Sequence, residues 1–317
     1  MLQSSHPSEA ISRLKRSIED HLIGRSPLVE RMMIALLTGG HVLVEGVPGL
    51  AKTRSIRLLA AGLEASFARV QCTPDLMPSD LTGTPVFRPD SGTFEFVEGP
   101  IFHNLVLVDE INRAPPKVQS ALLEGMAEGQ VTSGGETYAL PDPFLVMATQ
   151  NPIEQEGTFP LPEAQRDRFQ FHVLVDQPDV QEERQILDLV DAEGSATPQN
   201  DAPFALGDLA AARDLVRQVH ASPALKDYIV RLVTATREAD RCPEVQYAVS
   251  PRGSIALLAG ARARAWLDGR DYAGPDDVAT LASDALAHRM ILTWRAEADG
   301  QTSRDLIARL LETVEPL

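Results

Sequence analysis

Basic residues are scarce in this chain of 317: 29 lysines and arginines stand against 45 aspartates and glutamates, a formal net charge of −16. Affinity for a phosphate backbone comes from clustered cations, so the balance argues against a general nucleic-acid-binding surface and leaves room only for a local basic pore. Cysteine is scarcer still. Cys72 and Cys242 fit neither a disulfide framework nor a metal-ligand spacing and read as ordinary thiols, and the seven histidines are scattered. No apolar run approaches the ~20 residues needed to cross a bilayer. Met1–Ser12 is polar and lacks a signal-peptide core, so the expectation is a cytoplasmic protein with no membrane span. There is no internal repeat. What the chain does have is 44% hydrophobic content over more than one average domain's length, which predicts a large core divided between two domains.

The stretch that organises the rest is Leu43-Val44-Glu45-Gly46-Val47-Pro48-Gly49-Leu50-Ala51-Lys52-Thr53, an apolar run that breaks into a glycine-containing turn ending in Lys-Thr. It reads as a strand, a loop and a helix start. Backbone N–H groups at such a turn cradle anionic oxygens, Lys52 adds a point charge and the Thr53 hydroxyl can ligate Mg²⁺, which together make a nucleoside triphosphate site. Ala51 stands where the usual pattern has glycine. A partner stretch lies downstream, Asn104-Leu105-Val106-Leu107-Val108-Asp109-Glu110, a buried-strand run ending in two carboxylates. At a strand end Asp109 can hold Mg²⁺, directly or through water, while Glu110 can accept a proton from the attacking water or orient it.

Periodicity predicts helices over Ser8–Leu22 and Pro27–Leu37, a first core strand at His41–Glu45, a helix over Thr53–Gly62 and a strand at Ser66–Gln71. Prolines and glycines then interrupt the pattern from Thr73 to Gly99. Inside that insertion Thr84–Arg88 and Thr93–Val97 flank a turn and read as a β-hairpin, and Val131–Tyr138 with Gly134-Gly135 reads as a second. Pro115–Glu128 is a predicted helix, and Phe144–Thr149 and Phe169–Val175 are further strands. This alternation describes an α/β domain, residues 1–178, with a parallel sheet covered by helices on both faces and ligands at the carboxyl ends of its strands. Residues 179–317 read as an all-α lid, with a polar, turn-rich loop at Glu193–Ala202.

At this point the residues resemble a known family, the MoxR group of AAA+ ATPases, from Ile23 to about Leu292. The resemblance rests on Gly46–Thr53, Asp109-Glu110-Ile111-Asn112-Arg113-Ala114-Pro115-Pro116, Ala148-Thr149-Gln150-Asn151-Pro152-Ile153-Glu154, Gly157–Gln165 and Ser250-Pro251-Arg252. That family also carries alanine before the loop lysine. The resemblance implies an AAA+ P-loop core with two hairpin inserts and a helical lid, and ATP and Mg²⁺ as cofactors. By it Ile23 and Gly24 pack on adenine, Asn151 is the sensor-1 residue beside the attacking water, and Arg252 is the sensor-2 residue tying the lid to the γ-phosphate. It makes Arg168 an arginine finger that reaches a neighbouring subunit's nucleotide, worth ~10³ or more in rate. Arg166, where the family has an apolar residue, keeps the choice between Arg166 and Arg168 open. Read from the residues alone, Asn151 is a turn residue before Pro152, Arg252 is equally a surface arginine, and ordinary surface hairpins are the alternative for both inserts.

The resemblance further implies a homo-hexameric ring acting on client or co-chaperone proteins, some with von Willebrand factor A domains, in maturation or metal-cofactor insertion. The alternative of another class is an ATP-dependent binding switch with negligible turnover. A nucleic-acid motor and a metabolic kinase are weaker readings, the first disfavoured by charge and the second by the helical lid.

Overall fold

A computed structural model describes residues 7–47, 52–152, 157–193 and 204–316. Eleven strands occur among them: β1 Val42–Gly46, β2 Phe67–Gln71, β3 Gly83–Arg88, β4 Thr93–Glu98, β5 Leu105–Asp109, β6 Gln130–Ser133, β7 Glu136–Ala139, β8 Leu145–Gln150, β9 Phe171–Val175, β10 Val245–Tyr247 and β11 Ile291–Leu292. Five of them form the central sheet in the order β2-β5-β8-β1-β9, and every pairing in it is parallel. Parallel neighbours need crossovers, and the helices Lys52–Leu63 and Pro116–Glu128 lie between successive core strands.

The continuous apolar runs follow from burial on both faces. Val42 and Val44, with Leu105 and Leu107, enter one apolar cluster, while Leu43, Val106 and Val108 enter a second on the opposite face. The first cluster also takes Leu14 and Met33 from the amino-terminal helices and Leu232, Leu257 and Leu281 from the lid, so one apolar core runs through both parts of the chain. Polar contacts reinforce the junction. Arg31, on the helix Ser26–Thr38, donates Nε to Asp284 on the lid helix Pro275–Leu286 at 2.9 Å, and Arg213 donates to the Leu36 carbonyl through Nε at 3.0 Å. The lid is helical apart from the antiparallel pair β10–β11, two strands too short for periodicity to reveal. Of the predicted loop Glu193–Ala202, all but Glu193 lies outside the described residues.

Both predicted hairpins form, β3 with β4 and β6 with β7. Their turns use Gly92 (φ +67°) and the pair Gly134-Gly135 (φ +61° and +86°), conformations that L side chains rarely adopt. Phe96 and Tyr138 stack with ring centroids 3.9 Å apart and join the two hairpins, while Phe94, 72% exposed, stands out near the tip of the first against Phe87.

His41, just before β1, is a buried and neutral part of this core. Its Nε2 lies 3.2 Å from the Met126 carbonyl, and its Nδ1 accepts the Val146 N–H at 3.0 Å. Burial pushes the imidazole from 6.5 down to about 4. A lowered histidine leaves stability intact above its unfolded value and withdraws it as pH falls, because in that window only the unfolded chain takes up the proton. Between pH 6.5 and 4 this group is expected to remove about 3 kcal/mol from the unfolding free energy. Urea unfolding of wild type and His41→Asn across that range checks it: the wild-type slope should be the steeper, and the His41 Cε1–H resonance should not titrate above pH 5.

Candidate functional site

The carboxyl ends of the core strands meet at one edge of the sheet. β1 ends at Gly46, where a Cβ would stand 2.6 Å from the Val175 carbonyl oxygen, so only glycine lets the chain turn this close to β9. Pro48, Gly49, Leu50 and Ala51 of the predicted phosphate loop, and Ile153 and Glu154 of the motif after β8, lie outside the described residues. The described helix Lys52–Leu63 carries Lys52 and Thr53 at its amino end. Helix-start N–H groups lack intrahelical acceptors and carry partial positive charge, which suits an anion. Lys52 donates Nζ to the Gly46 carbonyl at 2.7 Å, spanning the gap between strand end and helix. Burial pulls its pKa below the usual lysine value, and the carboxylates of Asp109, Glu110 and Glu45 work against that pull.

Asp109 ends β5, two strands away from Gly46 with β8 between. Thr149 on β8 donates Oγ1 to Asp109 Oδ1 at 2.9 Å and accepts the Glu110 N–H at the same distance. Glu110 itself has left-handed backbone, φ +56° and ψ 51°, which costs a residue with a Cβ about 1 kcal/mol or more. The Thr149 bond is one of the contacts that hold it there. Asn151 is buried immediately after β8 ends. Gly46, Lys52, Thr53, Asp109, Glu110 and Asn151 therefore share one end of the sheet.

The donor set fits Mg²⁺ held with a nucleotide. Among the described residues no group of three or more His, Cys, Asp or Glu could form a protein-only metal cage. A lone carboxylate and a hydroxyl are what Mg²⁺ takes from a protein when phosphates and waters complete its shell. Beside the same helix a cavity of about 250 Å³ is lined by Leu22, Ile23, Arg54, Pro178 and Leu187. Its mostly apolar walls suit a flat aromatic base. Gly24 has φ +69°, a left-handed backbone that L side chains rarely adopt, and lies beside the Glu182 carboxylate.

Arg168 and Arg252 lie elsewhere. A second cavity, about 260 Å³, is lined by Gly40, Met126, Arg168, Gln170, Arg252 and Arg289. Gly40 and Gln170 come just before β1 and β9, so this cavity is at the amino ends of the strands, roughly 15–20 Å along the sheet from the phosphate loop. Arg168 donates Nη1 to the Leu123 carbonyl at 3.1 Å. Arg252 stands 3.7 Å from Asp167, which also accepts Arg289 Nε at 2.9 Å and the Ser250 hydroxyl at 3.0 Å. The lid docks beside β9 and places Arg252, the expected sensor-2 residue, with Arg168 near the amino ends of the strands. Arg166 lies on the same short segment, at the end of the helix Glu163–Arg166.

Comparison with known proteins agrees with this architecture. Residues 41–171 match the ATPase family associated with various cellular activities (AAA), and residues 237–310 match the AAA lid domain. The chain is 46% identical over 311 residues to Chaperone MoxR1 of Mycobacterium tuberculosis, covering 96% of this chain and 81% of that protein. This chain belongs to the MoxR family of AAA+ ATPases. It is also 46% identical to YeaC of Bacillus subtilis, over 93% of this chain and 91% of that protein. A crystal structure of a Cytophaga hutchinsonii protein assigned as an ATPase superposes with a TM-score of 0.90 at 41% identity, covering 98% of this chain and 95% of that one. No described helix of this MoxR-family chain is long and apolar enough to cross a membrane.

Four residues at the site had no role in the sequence reading: Arg113 and Thr149, which stand inside the quoted motifs, and Arg69 and Gln71, which do not. Arg113 Nε approaches Glu110 Oε2 at 3.2 Å, and Gln71 donates Nε2 to the same oxygen at 3.1 Å. A signal for two of them was present. Phe67-Ala68-Arg69-Val70-Gln71 alternates polar and apolar residues at the end of an edge strand whose register sets Gln71 opposite Asp109.

Proposed function

We propose that this chain hydrolyses ATP to ADP and phosphate as a subunit of a homo-hexameric, chaperone-like ring that remodels partner proteins. The observation that carries the reading is the separation of the two halves of the machinery. The phosphate loop, Asp109 and Glu110 sit at the carboxyl ends of the strands, and Arg168 with Arg252 sits at the amino ends, so a complete site needs two subunits.

In this reading residues 1–178 form the nucleotide domain and 179–317 the lid. Ile23 and Gly24 border the base, the loop from Gly46 to Ala51 wraps the phosphates and Lys52 neutralises their charge. Thr53 and Asp109 would hold Mg²⁺, which when bound would supply positive charge against that of the phosphates. Glu110 takes the proton of the attacking water, and Asn151 fixes that water in line. Arg168 and Arg252 of the adjacent subunit stabilise charge on the transferred phosphoryl group. The name of the M. tuberculosis relative supports client proteins as the object of this work. By family resemblance we extend the proposal to clients or co-chaperones with von Willebrand factor A domains, to maturation or metal-cofactor insertion, and to the cytoplasm.

Steady-state ATP turnover per subunit, measured across a wide range of protein concentration beside sedimentation velocity, tests the core of the reading. Turnover should rise steeply and saturate as monomers give way to rings. Constant turnover across a range where the protein is monomeric would overturn it.

A further inference from the structure

Asp109 and Glu110 are already occupied by cationic and amide donors from β2. Arg69 places Nε 2.8 Å and Nη2 2.7 Å from Asp109 Oδ2. Thr149 occupies the other oxygen, Oδ1. The same Arg69 donates Nη2 to Gln71 Oε1 at 3.2 Å, which fixes the Gln71 amide so that its Nε2 faces Glu110 Oε2 at 3.1 Å. One arginine thus engages the metal-binding carboxylate directly and the proton-accepting carboxylate through Gln71. β2 is an edge strand, and the Arg69 side chain is 45% exposed, so it has solvent to move into.

We propose that Arg69 is a resting-state latch: its guanidinium fills the cation position at Asp109 until a metal–nucleotide complex displaces it. The inference rests on the ATPase reading above. A divalent cation approaching Oδ2 would meet a guanidinium bonded to the same oxygen, and like charges at that range repel strongly outside bulk water. A bidentate charged contact is among the stronger hydrogen-bonded pairs, so displacing it sets a threshold on metal affinity. Arg69 is here a positioning residue, since it acts through Asp109. β2 leads through Cys72, whose N–H bonds the Asp109 carbonyl at 2.9 Å, into the insert that carries the β3–β4 hairpin. The strand that carries the latch therefore runs on into the hairpin-bearing insert.

The test uses the full chain with a fluorescent ADP analogue and Mn²⁺, reading free Mn²⁺ by electron paramagnetic resonance and nucleotide by anisotropy. Arg69→Met keeps the aliphatic stem and removes the charge. Its Mn²⁺ midpoint at saturating analogue should fall about tenfold below wild type, the scale of a lost charge-assisted contact. Gln71→Ala, which leaves the guanidinium on Asp109, should keep the wild-type midpoint. A midpoint in Arg69→Met equal to or above wild type, with wild-type binding intact, overturns the latch alone, because a merely structural arginine would weaken metal binding when removed. Wild-type chain that binds no nucleotide with Mn²⁺ present would overturn the ATPase reading and the latch with it.

Discussion

Arg168→Ala is expected to lower ATP turnover per subunit by about 10³-fold while leaving nucleotide affinity near wild type, because the guanidinium is used only as charge develops on the transferred phosphoryl group. Lys52→Ala should be as inactive for a different reason, the loss of the phosphate contact. The geometry makes a stronger claim than either loss. Rings co-assembled from equal amounts of Arg168→Ala and Lys52→Ala subunits contain interfaces that pair an intact loop with an intact finger. With random placement these make up about a quarter of the sites, so activity should return to that fraction of wild type. Arg252→Ala should complement Lys52→Ala in the same way, since both arginines line one cavity at the amino ends of the strands. Failure of both mixtures to recover activity would place the arginines in the service of their own chain.

Glu110→Gln should abolish turnover by about 10²- to 10⁴-fold and leave Mg-nucleotide binding intact, since the amide keeps the shape of the side chain and loses only its basicity. Its fold should be preserved as well. The left-handed backbone at Glu110 is held in part by the Thr149 hydroxyl bonding the backbone N–H, a contact the substitution does not touch. The readouts are single-turnover hydrolysis and equilibrium binding on the same preparation. Wild-type hydrolysis in Glu110→Gln would remove the residue from the mechanism and shift attention to Glu45, the other carboxylate acting on Lys52 near the phosphate loop.

How much of the site was readable can be judged residue by residue. Gly46, Lys52, Thr53, Asp109 and Glu110 announced themselves because their chemistry sits in short, contiguous motifs at the ends of apolar runs. Asn151 was readable through family resemblance, and the structure buries it at the carboxyl end of β8. Arg69 and Gln71 were passed over because an alternating edge strand has solvated polar residues as its ordinary explanation. Only the pairing of β2 with β5 turns that polar face toward Asp109, and a one-residue slip in register would have pointed it away. Arg252 carried a motif but no address.

The sequence by itself determined which segments become the strands of the central sheet, that β1, β5 and β8 are buried on both faces, and that Gly46, Lys52, Thr53, Asp109 and Glu110 collect where β1 and β5 end. Those are local properties: side-chain period, glycine at a turn, a hydroxyl after a lysine. The tertiary structure decided which end of the sheet each arginine serves. Arg252 reaches the Arg168 cavity because the lid docks through a shared apolar core and the Arg31–Asp284 pair, a contact between residues 253 apart in the chain. Contacts of that span depend on how whole helices and strands pack against one another, and no pattern within a window of residues encodes them.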